Sequence, residues 1–387
     1  MNIIVFTYKA QISGGSNRSL LSILEILTQR GHNVTLFLPG KDGDMYHEAK
    51  KIGVECIYKK FNPIIEEKKR GIALIEQTMR LHYRLVREYL RAYKYSKEVA
   101  RLSPDIIYSN GVTIHAGRII AKILRLPHVW HIREISFSNE SFLRPIGFYK
   151  IMASGTTKFI LISNDLYNIF KEHISEDKLI MISNGIKYSE QPPLIPHNDF
   201  NILLTARICE DKRQEDAIEA LNLIYKERPL INIYLFFAGS TVSALDVTYK
   251  HKLENLIQSY NLNSKVRFLG EINNLPTIRQ KMDLELLCSS REPFGRVTVE
   301  GMRSGLCLVA SNSGGTKDII TDGINGFMFE PHNVTDIKDK ILNLYDKPEL
   351  RKIIGLNAKE FSKTHFTEAQ LYKTVQLLEE LSNIQKK

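Results

Sequence analysis

Short apolar runs alternate with longer amphipathic stretches from the first residues of the chain. Asn2–Tyr8, Asn33–Leu38, Gly53–Tyr58, Asp105–Ser109, His128–His131 and Phe159–Ser163 have the length and composition of strands. Between the first two, Leu20, Leu21, Leu24 and Leu27 recur at helical spacing over Ser19–Arg30. Gly31 follows, where a helix C-cap favours glycine. Strand, helix, strand in that rhythm predicts a parallel sheet with helices on both faces.

The rhythm breaks over Ser183–Asn201, where Asn184, Gly185, Pro192, Pro193 and Pro196 interrupt any period, as in a linker. It restarts with Ile202–Ala206, Asn232–Ala238, Val266–Leu269, Leu284–Ser289 and Leu306–Ser311, which predict a second doubly wound domain. Thr367–Gln385 then sets Leu371, Val375, Leu378 and Leu381 on one face of a last helix. The expected division is a first domain over 1–190, a second over 191–365, and a helix over 366–387 packing back on the first.

Composition fits this picture. A chain of 387 residues suits two domains, and 43% hydrophobic with 25% charged residues lets each bury a core. No run approaches the ~18 uncharged apolar residues of a membrane span. Met1–Phe6 has no basic leader and reads as a strand, not a signal peptide. Cys56, Cys209, Cys288 and Cys307 show no paired spacing and sit mostly in apolar runs, which predicts buried free thiols in a reducing cytoplasm.

The net charge of +10 is uneven: between Lys59 and Arg101, twelve Lys/Arg against five Glu give +7. Arg80, Arg84, Arg87, Arg91 and Lys94 recur every three or four residues and form one basic stripe on a helix. The stripe is either a solvated face or an attraction for anionic lipid worth ~1 kcal/mol per basic residue. No nucleic-acid motif accompanies it, so no nucleic-acid partner is expected.

Doubly wound sheets bind ligands beyond the carboxyl ends of their strands. Gly14-Gly15 lies after the first strand, where it is either an ordinary turn or a close backbone approach to a ligand. It does not form GxGxxG, which counts against a nicotinamide or flavin site. Arg207 and Lys212 follow the first strand of the second domain, as a solvated loop or as a cationic clamp for a diphosphate. The most informative stretch is Arg291–Met302. Glu292 and Glu300 are separated by seven residues, and Pro293-Phe294-Gly295 follows the first. On a loop-then-helix element both carboxylates can face one ligand, and the amides of Phe294, Gly295, Arg296 and Val297 suit a phosphate. Asp42-Gly43-Asp44 has the form of a metal-binding Asp-x-Asp, but Pro39-Gly40 and its turn composition make it a turn. No metal is expected.

The Arg291–Met302 stretch resembles the Glu-x7-Glu motif of family-4 retaining glycosyltransferases. Other segments resemble that family in the same order along almost the whole chain: Gly14–Arg18 through Gly31–Thr35, Ser183–Ile186, Arg207 with Lys212, Phe268–Gly270, and Ser313–Gly315 with Asp318. Two positions depart from the pattern: Arg213 stands where the family usually has glycine, and Asp318 where it commonly has Glu. The resemblance implies the GT-B fold, two Rossmann-like doubly wound domains facing across a cleft. The first would bind acceptor and the second the nucleotide sugar.

The same resemblance implies roles. Arg207 and Lys212 would neutralise a leaving diphosphate, and Glu300 would hold the ribose. Glu292, with Phe294 and Gly295, would hold the sugar, near Gly15. Ile272 would lie at the base. His131 matches the family's sugar-facing histidine, although a core histidine is the alternative from the residues alone. The activity implied is transfer of a hexose from a UDP- or GDP-linked donor to a glycan or lipid-linked acceptor, with retention, in bacterial surface polysaccharide synthesis. The place implied is the cytoplasm, peripheral at the inner membrane face where the basic stripe takes part. An epimerase or phosphorylase on the same fold, and a non-catalytic membrane-docking scaffold, remain as alternatives.

Overall fold

The computed structural model describes residues 1–12, 15–41, 43–69, 71–135, 142–187 and 189–384. It divides into two compact units, Met1–Lys187 with Glu368–Lys387, and Tyr188–Thr367.

The first unit runs β1 (Asn2–Thr7), α1 (Gly15–Gln29), β2 (Asn33–Leu38), α2 (Asp44–Lys51), β3 (Glu55–Tyr58), β4 (Glu66–Glu67), α3 (Ile72–Ala100), β5 (Ile106–Asn110), α4 (Ala116–Leu124), β6 (His128–Ile132), β7 (Phe142–Leu143), α5 (Phe148–Ala153), β8 (Lys158–Leu161), α6 (Asn164–Lys171) and β9 (Leu179–Met181). The sheet order is β3-β2-β1-β5-β6-β8-β9, all parallel. β4 and β7 form a separate antiparallel ribbon. Side chains alternate across a strand, so β1 serves two cores. Ile3 and Val5 meet Leu20, Leu24 and Leu27 of α1, while Ile4 and Phe6 meet Ile119 and Ile120 of α4 and Ala92 and Val99 of α3. Each fully buried side chain of this kind contributes roughly 1.5–3 kcal/mol.

The second unit runs β10 (Phe200–Thr205), α7 (Gln214–Glu227), β11 (Ile233–Ala238), α8 (Ala244–Ser259), β12 (Val266–Gly270), α9 (Leu275–Arg279), β13 (Leu284–Leu287), α10 (Arg296–Arg303), β14 (Cys307–Ser311), β15 (Phe327–Phe329), α11 (Val334–Asp346) and α12 (Pro348–His365). Its sheet order is β12-β11-β10-β13-β14-β15, again parallel. α13 (Ala369–Ile384) belongs to the first unit, where Leu371, Val375 and Leu378 join the core built on α1. Both sheets grow from their first strand in one direction and then in the other. The reversal falls between β1 and β5 in one, and between β10 and β13 in the other.

Gly31 caps α1 with φ +78°, and His32 N–H reaches back to the Leu27 carbonyl at 3.1 Å. α1 begins at Gly15, four residues before the start read from the leucine pattern, so Gly15 is itself the helix entrance. Gly14 lies outside the described residues. Phe200 and Asn201 belong to β10, which shortens the linker. All four cysteines are free, with Cys56 half-buried and the others buried. Burial pushes the Cys307 thiol up to about 12.

The basic stripe is partly neutralised. Arg80 and Arg84 both pair with Glu66, and Arg91 lies 3.7 Å from Glu88. Of the four arginines expected to face lipid, Arg87 has no ion pair among the described residues.

Candidate active site

The reversal between β10 and β13 is where an open α/β sheet has a natural crevice beyond its strand ends. Here the two strands deliver the cationic loop and the acidic loop side by side. Lys212 ends a short 3₁₀ turn after β10, and its ammonium pairs with the Glu292 carboxylate from the loop after β13. Ser289 Oγ donates to the same carboxylate at 2.8 Å, and Ser290 N–H donates to the Asp211 carbonyl at 3.0 Å, tying the loops together. Both members of the pair stay partly open, with side chains 23% and 17% exposed. A ligand can therefore reach them.

The segment Ser313–Gly315 explains itself here. Gly315 N–H donates to the Glu292 carbonyl at 2.7 Å. Gly314 has φ +54°, and a Cβ there would stand 2.1 Å from the Glu292 carbonyl oxygen. A Cβ on Gly315 would come within 2.7 Å of Phe294 Cα. Only glycine lets this turn press against the backbone that carries Glu292. Gly314→Ala is expected to displace Glu292 and lower nucleotide-sugar affinity at least tenfold, with the circular dichroism of the fold intact. Calorimetric titration with a nucleotide sugar checks this, and unchanged affinity refutes it.

α10 starts immediately after this loop. Gly295 stands before it with φ +98°, and the first intrahelical bond runs from Val299 N–H to the Gly295 carbonyl. The amides of Arg296, Val297 and Thr298 thus have no partner inside the helix and form a positive end suited to an anion. Phe294 itself is buried, its ring 5.7 Å from that of Phe366, so its contribution to a ligand is limited to the backbone.

Glu300 lies in the second turn of α10. Its carboxylate is held by Arg296 Nε at 2.9 Å and approached by Arg279 Nη1 at 3.7 Å. Arg279 is fully buried and makes two hydrogen bonds to the buried Glu285, of 2.9 and 3.0 Å. Sequence reasoning missed this pair. Arg207 leaves β10 on the same loop as Lys212, held by Gln214 at its carbonyl (2.9 Å), but its guanidinium sits 3.9 Å from Asp246 at the start of α8. Arg207 makes no ion pair with Glu292 among the described residues. Ile272 follows β12 and packs, half-buried, against the small cluster of Leu203, Ala238, Met282 and Leu306.

In the first unit, the strand ends beside the β1/β5 reversal carry a polar network. Thr7 donates to Asn17 at 2.9 Å, Asn110 donates to Ser16 at 3.2 Å, and Arg133 donates to Asn110 at 2.6 Å and to Asn184. His131 Nδ1 faces the Tyr108 hydroxyl at 2.7 Å and Arg133 Nη2 at 3.3 Å. A guanidinium only donates, so Nδ1 accepts and the ring proton sits on Nε2. Burial, and then the Arg133 charge, drive the His131 pKa well below the usual range, so the ring is neutral. Nε2 is buried with no partner among the described residues. A buried N–H left without an acceptor costs about 1–3 kcal/mol, which a ligand oxygen would recover. Arg133 therefore orients His131, a role the sequence left unassigned.

Among the described residues no group of three or more His, Cys, Asp or Glu could hold a metal. Asp42 lies outside them. Asp44 spends its carboxylate on the Ile12 and Met45 amides, at 2.7 and 3.1 Å, as a brace for α2.

Two family models match consecutive stretches. "Glycosyltransferase Family 4" covers residues 13–190, and "Glycosyl transferases group 1" covers 187–361. An uncharacterized glycosyltransferase of Methanocaldococcus jannaschii is 28% identical over 308 residues, covering 78% of this chain and 83% of that protein. The crystal structure of Anabaena HepE in complex with UDP and glucose superimposes with a TM-score of 0.77 at 20% identity, covering 97% of this chain and 98% of the other. A glycosyltransferase from Rickettsia africae gives 0.79 at 20% identity, over 98% of each chain. The chain belongs to the family-4 glycosyltransferases.

This family-4 glycosyltransferase takes a glycine-like backbone at Arg213. Arg213, at the position usually held by glycine, adopts φ +51° and ψ +43°, the left-handed conformation that glycine takes without strain. Its guanidinium is fixed by Glu215 and Asp216 at 2.7 Å each, which offsets that strain. Asp318 ends the 3₁₀ turn that begins at Gly314.

Proposed function

We propose that this glycosyltransferase moves a hexose-type sugar from UDP to a glycan or lipid-linked acceptor, with retention, in the building of a bacterial surface polysaccharide. The observation that carries the reading is the Lys212–Glu292 pair, partly exposed on the loop that leads into the amides opening α10, which have no partner inside the helix. The HepE complex, with UDP and glucose bound, supports uridine as the base. In this reading the second unit binds the donor and the first binds the acceptor. Lys212, Arg207 and the amides of Phe294–Val297 receive the diphosphate. Glu292 and Gly295 hold the sugar hydroxyls, Glu300 holds the ribose, and Ile272 borders the base. Within the first unit, whose first helix opens at Gly15, the neutral Nε2–H of His131 is the group that would donate to a ligand oxygen.

The chemistry is electrostatic. The bond from the anomeric carbon to the diphosphate oxygen breaks, its electron pair stays on the diphosphate, and the fixed cations and helix end stabilise that charge. The acceptor oxygen bonds to the same face of the sugar, and its proton passes to a phosphate oxygen. No protein base is then needed.

Thermal unfolding against a panel of nucleoside diphosphates tests the donor. UDP at 100 times its dissociation constant should stabilise the second unit by ~2.7 kcal/mol, with GDP and ADP well below it. A melt unmoved by every member of the panel refutes the reading, and a response to GDP alone replaces uridine by guanosine.

A further inference from the structure

α3 presents three faces. At about 100° per residue, Leu81, Ala92 and Val99 turn inward and are buried. Nearly opposite them, Ile75, Met79, Tyr83, Val86, Leu90 and Tyr93 recur at spacings of four, four, three, four and three, each between 53% and 69% exposed. These six make a continuous outward apolar row. One edge of the row is cationic: Arg87, Lys94 and Arg101 are exposed there, and Lys97 lies within the row. None of these four has an ion pair among the described residues. Arg87 and Lys97 stretch over the rings of Tyr83 and Tyr93, at 5.6 and 5.8 Å. On the other edge the chain before α5 adds Ile146, 80% exposed, whose amide donates to His82 of α3 at 3.3 Å. Of the acids on the helix, Glu88 is buried, Glu98 pairs with Lys59, and Glu76 near the N-terminal end is exposed.

We propose that this face docks flat on an anionic bilayer. The apolar row would sit at the boundary of headgroups and acyl chains, and Arg87, Lys94, Lys97 and Arg101 would reach lipid phosphates. Soluble proteins seldom expose an apolar row of this length. A long amphipathic helix with aromatic and aliphatic residues flanked by Lys and Arg is built to lie in an interface. It does not span, since no helix among the described residues is long and apolar enough to cross a membrane. A second copy of the chain fits less well, because a two-fold contact over this row would bring two cationic edges together.

The test is co-sedimentation of the full chain with vesicles of phosphatidylcholine alone or with 30 mol% phosphatidylglycerol. The wild type should bind the anionic vesicles, at least tenfold more tightly than the neutral ones, and release them as salt rises. Met79→Ser with Leu90→Ser should weaken binding at least tenfold, and Arg87→Gln with Lys94→Gln several-fold, while the thermal shift with UDP stays as in the wild type. Three results overturn the proposal: no wild-type binding to anionic vesicles at low salt, variant binding within twofold of wild type, or a wild-type dimer in sedimentation velocity that Met79→Ser with Leu90→Ser dissolves. A full UDP response with no vesicle binding would sink this inference and leave the donor reading standing.

Discussion

Lys212→Met is expected to cut sugar transfer by a factor of about 10²–10³ and leave the protein folded. Lys212 is the cation that touches Glu292, and the pair sits at the reversal of the second sheet, open enough for a ligand to enter. As the glycosidic bond breaks, negative charge moves onto the diphosphate, and a fixed ammonium there favours the transition state over the ground state. The folding cost should be small, about 1 kcal/mol or less, because a partly exposed ion pair contributes little. Glu292 also keeps its hydrogen bond from Ser289. Glu292→Gln preserves that hydrogen bond and removes the charge, so its loss should fall mainly on donor KM. If the two residues act as a unit, the double variant will be no slower than the slower single one. Release of UDP and formation of product, followed by mass spectrometry, measure all three. Near-wild-type turnover in Lys212→Met would remove this residue from the chemistry, and strictly additive losses would separate it from Glu292.

What the sequence disclosed follows from where the information lies. The buried strands of both sheets are near-continuous apolar runs with turns on either side, so β1, β2, β5, β10, β11 and β14 could be read within a residue or two. β4 is Glu66–Glu67 and β9 and β15 have three residues each, too short to show a period. The leucine pattern starts α1 late because a Gly-Gly pair looks like loop, whereas Gly15 is already helical. On α3 the charges stand out in the sequence and the apolar row does not. A helix apolar on two faces has no simple amphipathic signature, and only the packing on α4 shows which face is left over. At the site, spacing pointed to Glu292 and Glu300 but could not say what each touches. The grip of Arg296 on Glu300 is an i, i+4 contact that was legible once the helix start was known. The contact of Lys212 with Glu292 depends on β10 and β13 being neighbours, which is a property of the topology.

Arg279→Met is expected to be the most destabilising single change in the second unit, by about 3–5 kcal/mol. Glu285 is fully buried on β13, and Arg279 binds both of its oxygens. The one sign of this in the sequence is that Glu285 interrupts an apolar strand; its partner lies on another element. Gly301 is part of the arrangement: a Cβ there would stand 2.3 Å from Glu285 Oε2, so α10 can pass over the carboxylate only without a side chain. Removing the arginine strands a fully buried carboxylate with no second cation paired to it among the described residues. Arg279→Met with Glu285→Leu should regain most of the stability, because an apolar pair of similar volume avoids the cost of desolvating two charges. It should not regain the site. Arg279 Nη1 lies 3.7 Å from Glu300 Oε2, so the double variant frees Glu300 to move with Arg296 alone, and KM for the nucleotide sugar should stay raised several-fold with kcat less affected. Thermal unfolding with and without UDP, beside initial rates over donor concentration, separates the two effects. A single variant as stable as wild type would contradict the burial argument, and a double variant with wild-type KM would reduce Arg279 to a purely structural residue.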